Sequence, residues 1–194
     1  MADMEFYFFD PSQPVGHLSG NLPHWRQEGV RYFVTFRLGD SIPQSKLRQW
    51  KEEKELWLRR NPEPYTPEQV REYWELFPQR FHRWLDAGYG SCVLAHAGVV
   101  EFLLGVLRHF DGDRYELGAH VVMPNHVHAV VAPLPGFDLS KIIHTWKSYS
   151  ANEINRLVGR QGALWQKESF DHIVRGPEQL ERINVYIRDN PVVK

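Results

Sequence analysis

Two apolar runs, Tyr115 to Met123 and His126 to Val131, flank the dipeptide Pro124-Asn125, and this arrangement constrains the fold more than any other feature of the chain. Proline and asparagine favour turns for different reasons, one through a preset φ and the other through local side-chain hydrogen bonds. The two runs therefore read as strands joined by a tight turn. A third strand is legible from Arg31 to Leu38, where Tyr32, Val34, Phe36 and Leu38 fall on one face by simple alternation. Strand faces of this kind need cover. Val99, Leu103, Leu107 and Phe110 form a helical stripe before the strand pair, and a helix from about Leu139 to Val158, ended near Gly159, follows it. Gly162 to Val174 reads as extended, and a last helix starts at Pro177 and should end before Pro191. The order strand, helix, strand, strand, helix, strand, helix describes an α+β fold, an antiparallel sheet with helices on one or both faces.

Residues 41–90 interrupt that rhythm. Leu47, Trp50, Trp57 and Leu58 sit at helical spacing before Asn61-Pro62 stops the run. Thr66-Pro67-Glu68-Gln69 then has the form of a capping box with proline at the first helical position. Val70, Tyr73, Trp74, Phe77, Phe81, Trp84 and Leu85 continue at 3.6-residue spacing, with Pro78 expected to kink or divide the helix. The aromatic stripe reads as a packed helical face, against the alternative of a base-stacking surface. The segment is expected to be a helical insertion after the first strand, and residues 1–24, with three prolines, an irregular arm on a single domain spanning 1–194.

Composition narrows the class without choosing a function. The chain has 194 residues, long enough for one domain with a proper core. Its start, Met-Ala-Asp-Met-Glu, is acidic where a secretory signal is basic, no apolar run of about 18 residues follows, and Cys92 is the one cysteine. A soluble, cytoplasmic protein without a membrane partner is expected. Net charge is -1, which counts against gripping long duplex DNA by charge alone. The charge is uneven, however: residues 139–194 carry +3 and residues 1–30 carry -3.

His126 and His128 are two apart on a strand, so both rings project from one face of the sheet. Two imidazoles held that close can share a divalent cation. The alternative for a bare His-x-His is a pair satisfied by neighbouring hydrogen bonds. Tyr186 and Asn190, four apart, share a helical face in the last helix. A tyrosine beside a cation can attack a phosphodiester, leaving a phosphotyrosine and a free 3′ hydroxyl. The amide oxygen of Asn190 could complete the metal shell, and the alternative is a core tyrosine with a helix-ending asparagine. Spacing leaves a rival nucleophile, Tyr149, with Glu153 one turn on. A packed stripe of Ile142, Ile143, Trp146 and Tyr149 would give Tyr149 a structural role instead.

Met123-Pro-Asn-His-Val-His-Ala-Val-Val131, followed by Gly162-Ala-Leu-Trp-Gln166, Ser169-Phe-Asp-His172 and Tyr186-Ile-Arg-Asp-Asn-Pro191, resembles the REP-associated tyrosine transposases. These are relatives of the IS200/IS605 transposases in the HUH endonuclease superfamily. The likeness runs from about Trp25 onward, interrupted by 41–90; relatives continue well beyond the Asn-Pro-Val segment, where this sequence stops at Lys194. The resemblance implies a ferredoxin-like core that uses Mg²⁺ or Mn²⁺ to cut and rejoin single-stranded DNA at hairpins such as REP palindromes, as a monomer or homodimer. By motif, it makes His126 and His128 metal ligands, Asn190 the third ligand and Tyr186 the nucleophile. It also points to Lys147, Arg156, Trp165, Gln166 and Arg175 as DNA contacts.

Two other readings of the same residues are open. A protein that binds hairpins without cutting them is opposed by the presence of His126, His128 and Tyr186 together. A non-heme metalloenzyme would be favoured by a carboxylate two residues past His128, where Val130 stands. No phosphate-cradling Gly-x-x-x-x-Gly-Lys-Ser/Thr motif points to ATP use. Alanine at His126 or His128 is expected from sequence to abolish cleavage while leaving the fold near intact.

Overall fold

A computed structural model describes residues 8–18 and 24–190. The core is a four-stranded antiparallel sheet of β3 (Tyr32–Arg37), β4 (Tyr115–Val122), β5 (His126–Pro133) and β6 (Phe170–Ile173), in the order β4-β5-β3-β6. Helices α4 (Ala97–Arg108) and α5 (Leu139–Leu157) make the two crossovers, and α6 (Pro177–Asp189) follows β6. Strand–helix–strand, twice over, with this strand order is the ferredoxin-like arrangement the sequence implies. Among the described residues no helix is long and apolar enough to cross a membrane.

The two faces of the sheet bury different sets of side chains because successive strand residues alternate. Tyr32, Val34, Phe36 and Leu38 of β3 and its continuation join Val127, Ala129 and Val131 of β5 in the main core, under α4 and α5. Helix α5 is started by Asp138, whose carboxylate accepts from the Ser140 and Lys141 amides. A hydrogen-bonded chain ties this layer together: Trp146 Nε1 donates to Tyr115 Oη (2.9 Å), which donates to the Leu107 carbonyl (2.7 Å). The opposite face holds Phe33, Val121, Met123 and Val130 against Ile183 and Ile187 of α6. It is this second face that receives the even-numbered residues of β5, His126 and His128.

The extended segment expected over 162–174 is split. Residues 164–166 run beside the end of β3, with Gln166 N bonded to the Arg37 carbonyl (2.8 Å), and the ladder resumes at β6. Lys147 Nζ, donating to the Gln166 and Lys167 carbonyls, holds the intervening turn and accounts for the break.

Between β3 and α4 lie helices α1 (Gln44–Arg60), α2 (Pro67–Trp74) and α3 (Arg80–Asp86). The Thr66–Gln69 capping box is formed. Pro78 sits in a wide helical turn, Glu75–Gln79, which separates α2 from α3. A proline removes one amide donor and crowds the carbonyl a turn earlier, and an i→i+5 turn absorbs both effects. Trp50, Trp57 and Phe77 are buried against one another with Tyr65, Tyr73, Phe81 and Trp84, so most of the aromatic stripe is packing surface.

Residues 1–7, 19–23 and 191–194 of the expected arm and terminal segment lie outside the described residues. The described part of the arm contains a short antiparallel pair, β1 (Gly16–Leu18) with β2 (His24–Arg26). Arg26 Nη1 of β2 pairs with buried Asp171 of β6 at 2.6 Å, joining this pair to the sheet edge.

Candidate active site

His126 and His128 project together from β5 toward α6, and neither is exposed to solvent. Their Nε2 atoms face each other at 2.9 Å. Each Nδ1 has its own partner: Asn125 Oδ1 at 2.7 Å for His126 and Thr35 Oγ1 at 2.8 Å for His128. The network assigns the His126 tautomer. Asn125 Nδ2 donates to the Tyr89 carbonyl (2.9 Å), so its Oδ1 is the atom turned to His126 and must accept. His126 therefore carries its proton on Nδ1 and presents a lone pair from Nε2. Imidazole held this way by an outer hydrogen bond is the usual state of a metal ligand.

Three further groups converge there. Tyr186 Oη, from α6, lies 3.2 Å from His128 Nε2 and 3.4 Å from both oxygens of Asp86. Asp86, the last residue of α3, places Oδ1 3.7 Å from His126 Nε2. His82, one helical turn before Asp86, has its ring 5.8 Å from that of His128 and 6.4 Å from that of Tyr186, centroid to centroid. Phe33 stacks on His128 at 5.2 Å and walls the site from the β3 side. Ligand atoms of Asp86, His126 and His128 all fall within 4.8 Å of one another, so the group is able to hold a metal ion.

Burial sets the electrostatics. It pushes His126 down to about 3 and His82 to about 4, and His128 well below the usual imidazole range; neighbouring histidines add to each shift or, for His82, His172 does. The pair is neutral at pH 7, as metal binding requires. Burial also raises the Tyr186 phenol to about 12, with an Asn190 side-chain hydrogen bond working in the opposite direction. Burial raises the Asp86 carboxyl, and its contact with Tyr186 lowers it.

These shifts carry a stability prediction. The folded pKa values of His126 and His128 lie below the value of 6.5 for a free imidazole, so below that pH the unfolded chain binds more protons. Stability contributed by the pair is present above pH 6.5 and is lost as pH falls, for His126 as far as about pH 3. At pH 5 the loss from His126 is on the order of 2 kcal/mol. Thermal unfolding in chelator should show a clearly lower Tm at pH 5 than at pH 7.5. A flat profile would mean that the imidazoles are not buried as neutral groups.

The remaining residues singled out from sequence scatter. Asn190 caps α6, its amide N–H bonded to the Tyr186 carbonyl, and its side chain lies against the Tyr186 phenol. Lys147 is occupied with backbone carbonyls and Ser169 Oγ, and burial lowers it to about 8. Arg156 is paired with Glu153 one turn away on α5. Trp165 is buried in the main core, edge-on to Phe36, with Nε1 donating to Ser150 Oγ; it offers DNA no exposed face. Gln166 contributes its backbone to the strand edge, and Arg175 is exposed at the start of α6.

Tyr149 corrects an expectation. It is 64% exposed, against Phe102, while Ile142, Ile143, Trp146, Ser150 and Ile154 form the buried stripe. At 100° per residue, position 150 continues the line through 143 and 146, and 149 falls to its flank. Tyr149 belongs to the helix layer opposite the histidine face, which removes it from the site more firmly than a packing role would.

Sequence reasoning missed Asp86, His82, Asn125 and Thr35. Thr35 and Asn125 act through hydrogen bonds that only the pairing of β3 with β5 and the path of the 87–91 loop reveal. The His82-x-x-x-Asp86 spacing was available as a helical pair, but nothing in it says which way that face turns.

Residues 99–190 match the family described as "Transposase IS200 like". Over that stretch, somewhat under half of its length, the chain is similar to the IS200-like transposases. No curated protein matches the chain. Among solved structures, it is similar to a REP-associated tyrosine transposase bound to a REP hairpin, at 15% identity and a TM-score of 0.42, covering 89% of this chain and 73% of that one. It is also similar to a proposed transposase from Deinococcus radiodurans R1, at 15% identity and a TM-score of 0.42, covering 84% and 92%.

Proposed function

We propose that this protein is a transposase that cuts and rejoins single-stranded DNA through a 5′-phosphotyrosine on Tyr186. The observation that carries the reading is the meeting of Tyr186 Oη with His128 Nε2 at 3.2 Å, in a chain whose two histidine Nε2 atoms already face one another. Tyr186 Oη forms a bond to phosphorus, the bond from phosphorus to the 3′ oxygen breaks, and the leaving strand keeps a 3′ hydroxyl. The phenol proton goes to the Asp86 carboxylate, whose two oxygens face Tyr186 Oη at 3.4 Å. Rejoining is the reverse attack by a 3′ hydroxyl, and the tyrosine is restored.

His126 and His128 would hold a divalent cation, Mg²⁺ or Mn²⁺, with Asn190 as a further ligand. The donor set fits: two imidazoles that are neutral at pH 7, His126 presenting its Nε2 lone pair, and an asparagine whose side chain reaches Tyr186 beside them. When bound, the cation withdraws charge from a non-bridging phosphate oxygen and orients the phosphate. The substrate is proposed to be a hairpin with adjoining single strand, REP-like in form.

Labelled single-stranded hairpins incubated with Mn²⁺ should yield a covalent protein–DNA adduct. No adduct with any hairpin substrate, in protein shown to bind it, would overturn the phosphotyrosine route. With a net charge of -1, binding should rest on hairpin shape and stacked bases, with only a moderate salt dependence. A fully paired duplex of the same sequence should bind poorly and stay uncut. Equal cleavage of duplex and single strand would refute single-strand specificity.

A further inference from the structure

We infer that the helical segment between β3 and α4 is part of the active centre, and that Asp86 is a ligand of the divalent cation, beside His126 and His128. The inference deepens the proposed function and rests on it. Position is the first support. Helix α3 is anchored by Leu85, buried with Ile42 and Leu47, and the other side of the same turn faces the sheet. His82 and Asp86, four residues apart, share that side. It brings the His82 ring within 5.5 Å of the Phe170 ring and Asp86 Oδ1 to 3.7 Å from His126 Nε2. Two ligands of one small cation, each about 2.1 Å from it, stand roughly 3 to 4 Å apart. The Asp86–His126 and His126–His128 separations both suit that requirement.

Charge is the second support. Asp86 ends its helix, where unpaired carbonyls already concentrate negative charge and a carboxylate is disfavoured. What faces it are imidazole nitrogens and a phenol, and among the described residues no lysine or arginine is paired with it. A carboxylate at the negative end of a helix, turned toward a lone pair on His126 Nε2, is a local conflict that a cation among them removes. Chemistry agrees: two imidazoles and an amide are neutral, and a carboxylate supplies the hard, charged oxygen that Mg²⁺ and Mn²⁺ prefer.

The same segment also orients a second ligand. The Tyr89 carbonyl that fixes Asn125, and through it the His126 tautomer, lies three residues past Asp86. Gly90 adopts φ +92°, and a Cβ there would stand 2.5 Å from the Asp40 carbonyl oxygen. Ser91 N donates to the Asp40 carboxylate at 3.0 Å, so this loop is pinned to the end of β3. Ligand and support thus arrive on one element.

The test is Mn²⁺ binding to the full chain, read by calorimetry and by loss of the free-ion signal in paramagnetic resonance. Asp86→Asn, of nearly equal size, should bind Mn²⁺ roughly 10- to 100-fold more weakly than the unaltered chain, with an unchanged circular dichroism spectrum. Asp86→Cys should exchange the preference, weakening Mn²⁺ and gaining a Cd²⁺–thiolate absorption band absent from the unaltered chain, a signature that neither a structural nor a proton-accepting Asp86 would produce. Binding of Mn²⁺ by Asp86→Asn as tight as the unaltered chain, while His126→Ala loses it, would overturn the inference and leave the histidine site standing. If the unaltered chain binds no Mn²⁺, or His126→Ala binds it equally well, the metal reading itself falls and this inference with it.

Discussion

Tyr186→Phe should bind hairpin DNA as before and form no covalent adduct, with strand cleavage reduced by about a thousandfold or more. The substitution removes one oxygen and leaves the ring. That ring packs against the second core and lies edge-on to His128, at 5.2 Å between centroids, and to Phe33 at 6.4 Å. The hydrogen bonds lost are long, 3.2 to 3.4 Å, so stability should change by no more than about 1 kcal/mol. A drop in adduct formation therefore reports chemistry and not folding. Tyr149→Phe is the matched control: its hydroxyl is on an exposed ring beside Phe102, in the helix layer across the sheet from the histidines. That variant should form the adduct normally. Peptide mapping that places the phosphotyrosine at residue 149 would end the assignment.

His128→Ala should lose cleavage as completely as the unaltered protein does in excess chelator, and Mn²⁺ should restore only the latter. The structure changes what else is expected of this variant. His128 is wholly buried, stacked on Phe33 and bonded to Thr35 Oγ1. Alanine leaves a cavity and a buried hydroxyl without its partner, a cost of roughly 2 to 4 kcal/mol. The fold expected to stay near intact is therefore expected to be less stable, and activity must be measured well below the variant's Tm. Full cleavage by folded His128→Ala in excess chelator would remove the histidines from the reaction.

The sheet and its helices were legible from local pattern because each element repeats one physical rule along several residues. Tyr32, Val34, Phe36 and Leu38 face the main core as alternation requires, and the stripe Val99, Leu103 and Leu107 does the same at helical spacing. Pro78 interrupts its helix as a missing amide must. The weaker reading was the extended stretch before β6, where Lys147, distant in sequence, seizes two carbonyls and breaks the ladder. Trp165 illustrates the same limit at the site. Its motif suggested a surface contact, and a hydrogen bond to Ser150 within the core claims its indole instead.

Sequence by itself determined the strand that aligns His126 with His128, because a period of two admits no other outcome, and the helical turn that sets Tyr186 four residues before Asn190. It also carried the motif order by which residues 99–190 are matched to the IS200-like transposases. Only the tertiary structure decided that α6 lies on the histidine face, that α4 and α5 take Tyr149 to the other, and that Asp86 reaches the same few ångströms from a helix 40 residues earlier in the chain. Periodicity states which residues share a face. Which faces meet is settled by long-range burial, where apolar anchors such as Leu85 and Ile187 turn a helix so that its polar edge has to point at the site.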